Sequence, residues 1–137
     1  MKVAQFLRRE PETISARASC GEAAQRMRDT GVGSLVVIED DRPIGIVTDR
    51  DLVLRVMAAG AEAGAVAVAE IMTDKPAFIS EDRDVSLVLD TMRELGVRRI
   101  PVVDPSQRCV GVIALDDIVA ALAFELGGVA EVIRAAR

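Results

Sequence analysis

The chain repeats itself after 65 residues, and this internal repeat restricts its possible folds more than any other feature of the sequence. Gly31-Val32, for example, corresponds to Gly96-Val97, and similar matches are spread along the whole length. One residue is then inserted in the second copy, after which Gly45, Asp51 and Val53 correspond to Gly111, Asp117 and Val119. A period of this length is typical of one supersecondary unit present twice, in which each copy needs its neighbour to bury an apolar face.

Each copy predicts the same order of elements. A short apolar strand leads into a helix with an apolar stripe, and a glycine able to adopt positive φ ends that helix. In the first copy these are a strand at 13–15, a helix capped by Ser19, the stripe Cys20, Ala23, Ala24 and Met27, and the stop Gly31. In the second copy they are a strand at 78–80, a helix capped by Asp84, the stripe Val85, Val88, Leu89 and Met92, and the stop Gly96.

Two β-branched runs separated by a polar turn follow in each copy and predict a hairpin, at 34–47 and at 100–113. A second helix closes each copy, from Asp51 to about Ala59 and from Asp117 to about Leu126, where Gly127-Gly128 is expected to end it. The predicted fold class is α+β, a tandem of β-α-β-β-α units packed sheet against sheet. We expect a first domain at 1–60, a linker at 61–67, a second domain at 68–126 and a C-terminal helical tail at 127–137.

Composition argues against several classes of function. A net charge of -5 disfavours general affinity for nucleic acid, and 2% aromatic residues provide no platform on which bases could stack. The chain has no histidine, the commonest general base and metal ligand. No apolar run approaches the ~20 residues of a membrane span or resembles a signal peptide, so we expect a soluble, cytoplasmic protein. Cys20 and Cys109 lie in apolar patterns and are interpreted as core residues, ahead of a disulfide or a reactive thiol.

The junction between the hairpin and the closing helix carries the most informative motif. Its first copy is Gly45-Ile46-Val47-Thr48-Asp49-Arg50-Asp51, and its second copy reads from Gly111 to Asp117. The free amides of a helix N-terminus suit a phosphate, and a carboxylate can accept from both hydroxyls of a ribose. The same residues could serve only as a helix cap, since Thr48 and Asp51 have the spacing of a capping pair. The two readings remain close to even from the residues alone.

A glycine, an apolar residue, a Ser or Thr and an Asp at this spacing, at the end of a β-α-β-β-α unit, resemble the signature of the CBS domain family. The first copy is similar throughout, from Gly45 to Asp51, and the stretch 97–104 resembles the family's second-strand segment. The resemblance covers both copies, from about Val3 to Leu126. It implies a pseudo-two-fold CBS pair, or Bateman module, with two clefts between the halves.

The resemblance also implies roles for individual residues. In one cleft Asp51 would bind ribose and Thr48 ribose or phosphate, with the backbone near Pro76 and Ala77 around adenine. In the other, Asp117 would bind ribose beside the backbone near Pro11 and Glu12, although Ala114 lacks the family's hydroxyl. Arg98 and Arg99 would contact phosphate, whereas Arg50 and Lys75 are weaker candidates. The full set of candidate ligand-binding residues is Ser34, Ile46, Thr48, Arg50, Asp51, Pro76, Ala77, Arg98, Arg99, Pro101, Val112, Ala114, Asp116 and Asp117.

By this resemblance the protein is a non-catalytic regulatory module that needs no cofactor. Its regulatory ligand would be AMP, ADP, ATP, NAD or S-adenosylmethionine, and its partners an unknown effector protein and a second copy of the chain. The homodimer is suggested by closing helices that are apolar on most sides. One alternative is a structural dimerisation module with empty clefts. Another is an enzyme that uses Asp49, Asp51 or Asp116 with a divalent metal.

Overall fold

A computed structural model describes residues 1–6, 8–9, 11–74 and 78–136. Two four-stranded mixed sheets carry the repeats. The first has the order β2-β3-β4-β5 and the second the order β1-β8-β7-β6. The strands are β1 Arg8–Arg9, β2 Thr13–Ser15, β3 Ser34–Glu39, β4 Arg42–Thr48, β5 Thr73–Asp74, β6 Ile79–Ser80, β7 Arg99–Val103 and β8 Cys109–Ala114. The hairpins β3-β4 and β7-β8 are antiparallel, and β2 and β6 each run parallel to the first strand of a hairpin.

The helices also follow the repeat. They are α1 Cys20–Thr30, α2 Asp49–Leu52, α3 Val68–Ile71, α4 Val85–Leu95 and α5 Leu115–Ala135. A π-helical segment, Val53–Met57, continues α2, and short 3₁₀ turns occupy Val3–Gln5 and Ala63–Ala65. None of the helices in the described part of the chain is long and apolar enough to cross a membrane.

The predicted helix caps and stops are confirmed in α1 and α4. The Ser19 hydroxyl accepts a hydrogen bond from the Glu22 amide at 3.1 Å, and the Asp84 carboxylate accepts one from the Ser86 amide at 2.9 Å. Gly31 and Gly96 follow these helices with φ of 75° and 66°, a left-handed conformation that side chains disfavour. These signals are local, so each copy expresses them independently of its packing.

The predicted apolar stripes are confirmed for their central residues and wrong at their edges. The buried stripe residues are Cys20, Ala23, Met27, Val85, Val88 and Met92. Ala24 and Leu89 are exposed instead. Each lies one position, or about 100°, beyond a buried residue, which is far enough around the helix to leave its buried face.

The two apolar cores do not follow the boundary between the two sequence copies. All buried residues of the first core lie in one continuous stretch from Ile14 to Ile71, which includes Val68 from the second copy. The second core combines Val3 and Phe6 with residues 79–118. The first packing unit is therefore inserted into the second. The predicted linker at 61–67 lies within the stretch of chain that forms the first unit. Ala63 and Val66 of that segment pack against the first core.

Backbone pairing fixes this exchange of segments. The Val3 amide donates to the Arg83 carbonyl at 2.8 Å, and β1 pairs with β8. In the same way the Val68 amide donates to the Ala18 carbonyl at 2.8 Å, and β5 pairs with β4. Each sheet thus obtains its outermost antiparallel strand from the other sequence copy.

The expected end of the last helix at Gly127-Gly128 is wrong, because α5 continues without interruption to Ala135. Neither glycine has positive φ. Glycine costs a helix about 1 kcal/mol relative to alanine, but it ends a helix reliably only where the backbone turns left-handed. The neighbouring residues, from Leu126 to Ala135, are mostly ordinary helix formers and carry the helix across.

Candidate functional site

The first junction, between β4 and α2, forms a complete capping box. The Thr48 amide donates to Asp51 Oδ2 at 2.9 Å, and the Asp51 amide donates to Thr48 Oγ1 at 3.1 Å. The capping interpretation is therefore confirmed as geometry. It does not remove the ligand interpretation, because a carboxylate has about four acceptor positions and one amide uses only one of them.

Arg55 connects this junction to the segment 68–72, which follows the predicted linker. Its Nη1 donates to the Ile71 carbonyl at 2.7 Å, while its Nε lies 4.0 Å from Asp51 Oδ1. The Asp51 side chain is only 16% exposed and the Arg55 side chain 50%. The second copy has Ala121 at the equivalent position, so only the Asp51 junction carries this connection.

The second junction, between β8 and α5, lacks a side-chain cap because Ala114 has no polar atom to offer. Its backbone arrangement is nevertheless the same. The Leu115 amide donates to the Arg98 carbonyl at 2.9 Å, just as the Asp49 amide donates to the Gly33 carbonyl at 3.0 Å in the first copy. Each closing helix therefore begins beside the residue that precedes a central strand of its sheet.

A cavity of about 350 Å³ lies between the copies at this second junction. The first copy contributes Pro11, Glu12, Gly31, Val32, Gly33, Ser34 and Val36, and the second contributes Arg99, Val112, Ala114, Asp116 and Asp117. The structure thus brings together six of the candidate ligand-binding residues. The sequence did not lead us to the lining residues Gly31, Val32, Gly33 and Val36. The repeat offered a signal, because 31–33 and Val36 correspond to 96–98 and Pro101, which include two of the candidates.

The remaining candidate residues lie elsewhere. Pro101 is almost fully buried within β7 and does not line the cavity. Arg98 is exposed and pairs with Asp116 at 3.2 Å, and Arg50 is exposed at the start of α2. Ile46 is half-buried in β4, where it pairs with Thr73. Pro76 and Ala77, like Lys75, lie outside the described residues, so the Asp51 cleft is described only on its Thr48 side.

Charges of both signs face the cavity. Its acidic lining residues are Glu12, Asp116 and Asp117, and Arg99 lines it from the start of β7. Asp117 lies in the first turn of α5, where the amides at the helix N-terminus give a partial positive charge. Such a lining offers acceptors for hydroxyl groups and one cation for an anionic group.

The two thiols are unsuited to nucleophilic chemistry. Burial raises the pKa of both the Cys20 and the Cys109 thiol, which keeps each in the protonated form at neutral pH. Both cysteines are free, and Cys109 Sγ donates to the Gly111 carbonyl at 3.6 Å.

The carboxylates considered for metal-assisted catalysis do not converge. Asp51 caps Thr48, Asp116 pairs with Arg98, and Asp49 accepts a hydrogen bond from the amide of the next residue. Within residues 1–6, 8–9, 11–74 and 78–136, no three acidic or cysteine side chains lie close enough to hold a metal ion.

The sequence is similar to a known domain family and to individual known proteins. The family model described as "CBS domain" matches residues 3–58 and 68–124. An uncharacterised protein of Methanopyrus kandleri is 35% identical over 119 residues, which are 86% of this chain and 61% of that protein. Hypoxic response protein 1 of Mycobacterium tuberculosis is 34% identical over 110 residues, which are 80% of this chain and 72% of that protein. The first of these relatives is thus considerably longer than the matched region.

A solved structure shares the whole arrangement of the two copies. The CBS domain pair of protein MJ0100, in complex with 5-methylthioadenosine and S-adenosyl-L-methionine, has a TM-score of 0.81 and 25% sequence identity. The match covers 91% of this chain and 98% of that one. The chain therefore belongs to the CBS domain family and folds as a CBS pair, or Bateman module.

Proposed function

We propose that the protein is a non-catalytic regulatory module that binds an adenosine-containing small molecule between its two CBS copies and relays occupancy to a separate effector protein. The observation that carries the proposal is the cavity at the second junction, to which both copies contribute side chains. Its volume lies within the ~300–1,000 Å³ typical of small-molecule sites. The adenosyl ligands in the related MJ0100 pair support the same ligand class.

The chemistry of the cavity gives each polar group a role toward such a ligand. Asp117 accepts hydrogen bonds from the ribose hydroxyls, and Arg99 neutralises a phosphate or another anionic group. The Ser34 hydroxyl supplies a further donor from the opposite copy, and the backbone near Pro11 and Glu12 surrounds the base. A ligand held in this way touches both copies, so its binding favours one relative position of the two.

The Asp51 cleft would bind the same class of ligand with different strength. It has the Thr48 hydroxyl that Ala114 lacks, a contact worth about 0.5–1.5 kcal/mol. In the structure, however, Thr48 and Asp51 already bond to each other. A ribose must share the Asp51 carboxylate with the Thr48 amide and with Arg55 nearby. We therefore expect two sites of unequal affinity.

Calorimetry and thermal denaturation with AMP, ADP, ATP, NAD and S-adenosylmethionine test the proposal. A ligand at 100 times its Kd should stabilise the protein by about 2.7 kcal/mol. Asp117→Asn keeps the size of the side chain but removes the charge, and should weaken binding in the described cavity about 10- to 100-fold. Asp51→Asn should weaken the other site while the amide oxygen still caps Thr48.

Asp90→Asn is the matched control for these variants. Asp90 is an exposed carboxylate on α4 that pairs with Arg93, and it does not line the cavity. Its replacement should leave binding of every ligand unchanged. Absence of binding by the wild-type protein at millimolar concentrations of all five ligands would refute the regulatory function.

The second candidate function is a structural dimerisation module, and the exposed apolar residues of the closing helices favour it. In the first closing helix Val53, Leu54 and Met57 are about half exposed or more. In α5 the same is true of Val119, Phe124, Leu126, Val129, Val132 and Ile133. We propose a homodimer under either function. A stable dimer that binds none of the five ligands would favour the structural alternative.

A further inference from the structure

The two junctions carry opposite charges at one equivalent position. The residue immediately before the proposed ribose-binding carboxylate is Arg50 in the first copy and Asp116 in the second. Both side chains are exposed, at the start of α2 and of α5. Because the two junctions share their backbone arrangement, this reversal changes the charge of one cleft relative to the other without a change of fold.

The described lining of the cavity is acidic on balance. Among the described residues that line it, Glu12, Asp116 and Asp117 carry carboxylates, and Arg99 alone carries a positive charge. The N-terminus of α5 adds a partial positive charge of about half a unit. Arg99 and the helix end together do not balance three carboxylates, so each further negative charge on a ligand is repelled.

Asp116 also engages a second arginine. Arg98 Nη2 lies 3.2 Å from Asp116 Oδ1, and the two side chains are 71% and 74% exposed. Arg98 does not itself line the cavity. While the pair is formed, the Arg98 guanidinium is directed at Asp116 and not at a ligand. Asp116 therefore disfavours an anionic ligand twice, through its own charge and by holding Arg98.

A ligand bound by Asp117 lies within electrostatic reach of Asp116. The Cα atoms of consecutive residues are about 3.8 Å apart. Charges in solution interact over about 10 Å at 0.1 M salt. Phosphates attached to a ribose that Asp117 binds are therefore exposed to the Asp116 charge, and the repulsion grows with their number.

We propose that Asp116 determines the ligand class of the described cavity, which is an adenosine ligand with at most one phosphate, and that di- and triphosphates are disfavoured. This inference rests on the proposed function and narrows it for one of the two sites. In the Asp51 cleft the equivalent residue is Arg50, whose charge suits phosphate. The two sites of one chain therefore respond to different adenosine ligands.

Calorimetry on the full-length chain tests the selection. All titrations use the Asp51→Asn background, which leaves the described cavity as the stronger site, and are made at 0.1 M salt without divalent cations. The probes are AMP, ATP and 5′-methylthioadenosine, which has no charged group. ATP should bind at least about 10-fold more weakly than AMP.

Replacing Asp116 should reverse this preference. Asp116→Asn should raise the affinity for ATP about 10-fold, and Asp116→Arg, which introduces the residue type of the first copy, about 100-fold. The affinity for 5′-methylthioadenosine should change less than about 3-fold. Adding Arg98→Ala to Asp116→Asn should remove part of the gain for ATP. In 1 M salt the difference between AMP and ATP should shrink, since the Debye length falls to about 3 Å.

Asp90→Arg is the matched control. It makes the same change in net charge and breaks a similarly exposed pair, Asp90 with Arg93 at 3.3 Å, outside the cavity lining. It should leave the affinity for ATP within about 3-fold. Because exposed pairs contribute little to stability, the Asp90 and Asp116 variants should both keep the urea midpoint of the parent chain.

Three outcomes would overturn the inference while ligand binding itself stands. They are equal affinities of the Asp51→Asn chain for AMP and ATP, no gain for ATP on Asp116→Arg, and an equal gain for ATP on Asp90→Arg. A chain that binds none of the three probes would refute the proposed function, and the inference would fall with it.

Discussion

Arg55 offers a quantitative test of how the first cleft is built. Replacing it with alanine removes the hydrogen bond from Nη1 to the Ile71 carbonyl, 2.7 Å long and partly buried, and the approach of Nε to Asp51. A hydrogen bond from a charged donor contributes about 1.5–3 kcal/mol. The 4.0 Å ion pair adds about 0–1 kcal/mol, because half of the arginine side chain is in water, which screens it. We expect Arg55→Ala to lower the free energy of unfolding by about 2 kcal/mol.

Urea denaturation measures this change as a shift of the midpoint at constant slope. Arg93→Ala is the matched control, since Arg93 also pairs with a carboxylate on its own helix, Asp90 at 3.3 Å, but both side chains are mostly exposed. The control should change stability by less than about 0.5 kcal/mol. Arg55→Lys should recover part of the loss, because an ammonium can still donate to the carbonyl. If Arg55→Ala proves no more destabilising than Arg93→Ala, the connection between Asp51 and the 68–72 segment is energetically irrelevant.

Two further changes test the fold. Gly45→Ala should lower the free energy of unfolding by about 1–3 kcal/mol, because the added Cβ would overlap Met72 Sδ and come within 2.9 Å of the Thr73 carbonyl oxygen. Gly64→Ala is the control and should be nearly neutral, since its added Cβ meets nothing within 4 Å. Equal urea midpoints for the two variants would contradict this packing. Hydrogen bonds from the Ser86 backbone and side chain lower the pKa of the Asp84 carboxyl in the folded protein. The stability that this cap contributes is therefore fully present above the pKa of the unfolded state, about 3.9, and is lost as the pH falls through the lower pKa of the folded state. Asp84→Asn keeps a capping oxygen and should reduce the fall of the melting temperature between pH 5 and pH 3, and an unchanged fall would contradict the assignment.

Signals that act within one turn of chain were predictable from the sequence. The caps Ser19 and Asp84 and the stops Gly31 and Gly96 depend on a few neighbouring residues, and the structure has all of them. Gly127 and Gly128 resemble such stops in sequence. Whether they end the helix, however, depends on how their low helix propensity compares with the cooperative stability of a long helix. Here the helix continues through both glycines.

The exchange of Val3 and Val68 between the cores was not predictable in this way. Both residues occupy equivalent positions in equivalent copies, so the apolar pattern is the same whether each packs in the core of its own copy or in the core of the other copy. Tertiary packing alone decides between the two. The cavity likewise contains some residues that could be predicted from the sequence, while the place of others depends on tertiary packing. The resemblance to a known family predicted Asp117 beside Pro11, but the burial of Pro101 depends on how β7 is covered.

Because the first packing unit is inserted into the second, the chain also has a defined mechanical path. The segment Val3–Gln5 and the helix α5 both belong to the second unit, so these two segments are anchored in the same half. Tension applied between Val3 and the last turn of α5 passes first through that half, along the β1-β8 pairing and the hydrogen bond from the Val3 amide to the Arg83 carbonyl. The first unit, whose core spans Ile14 to Ile71, bears no load until the second has opened. A protein built from two equivalent repeats would therefore yield under force in a fixed order.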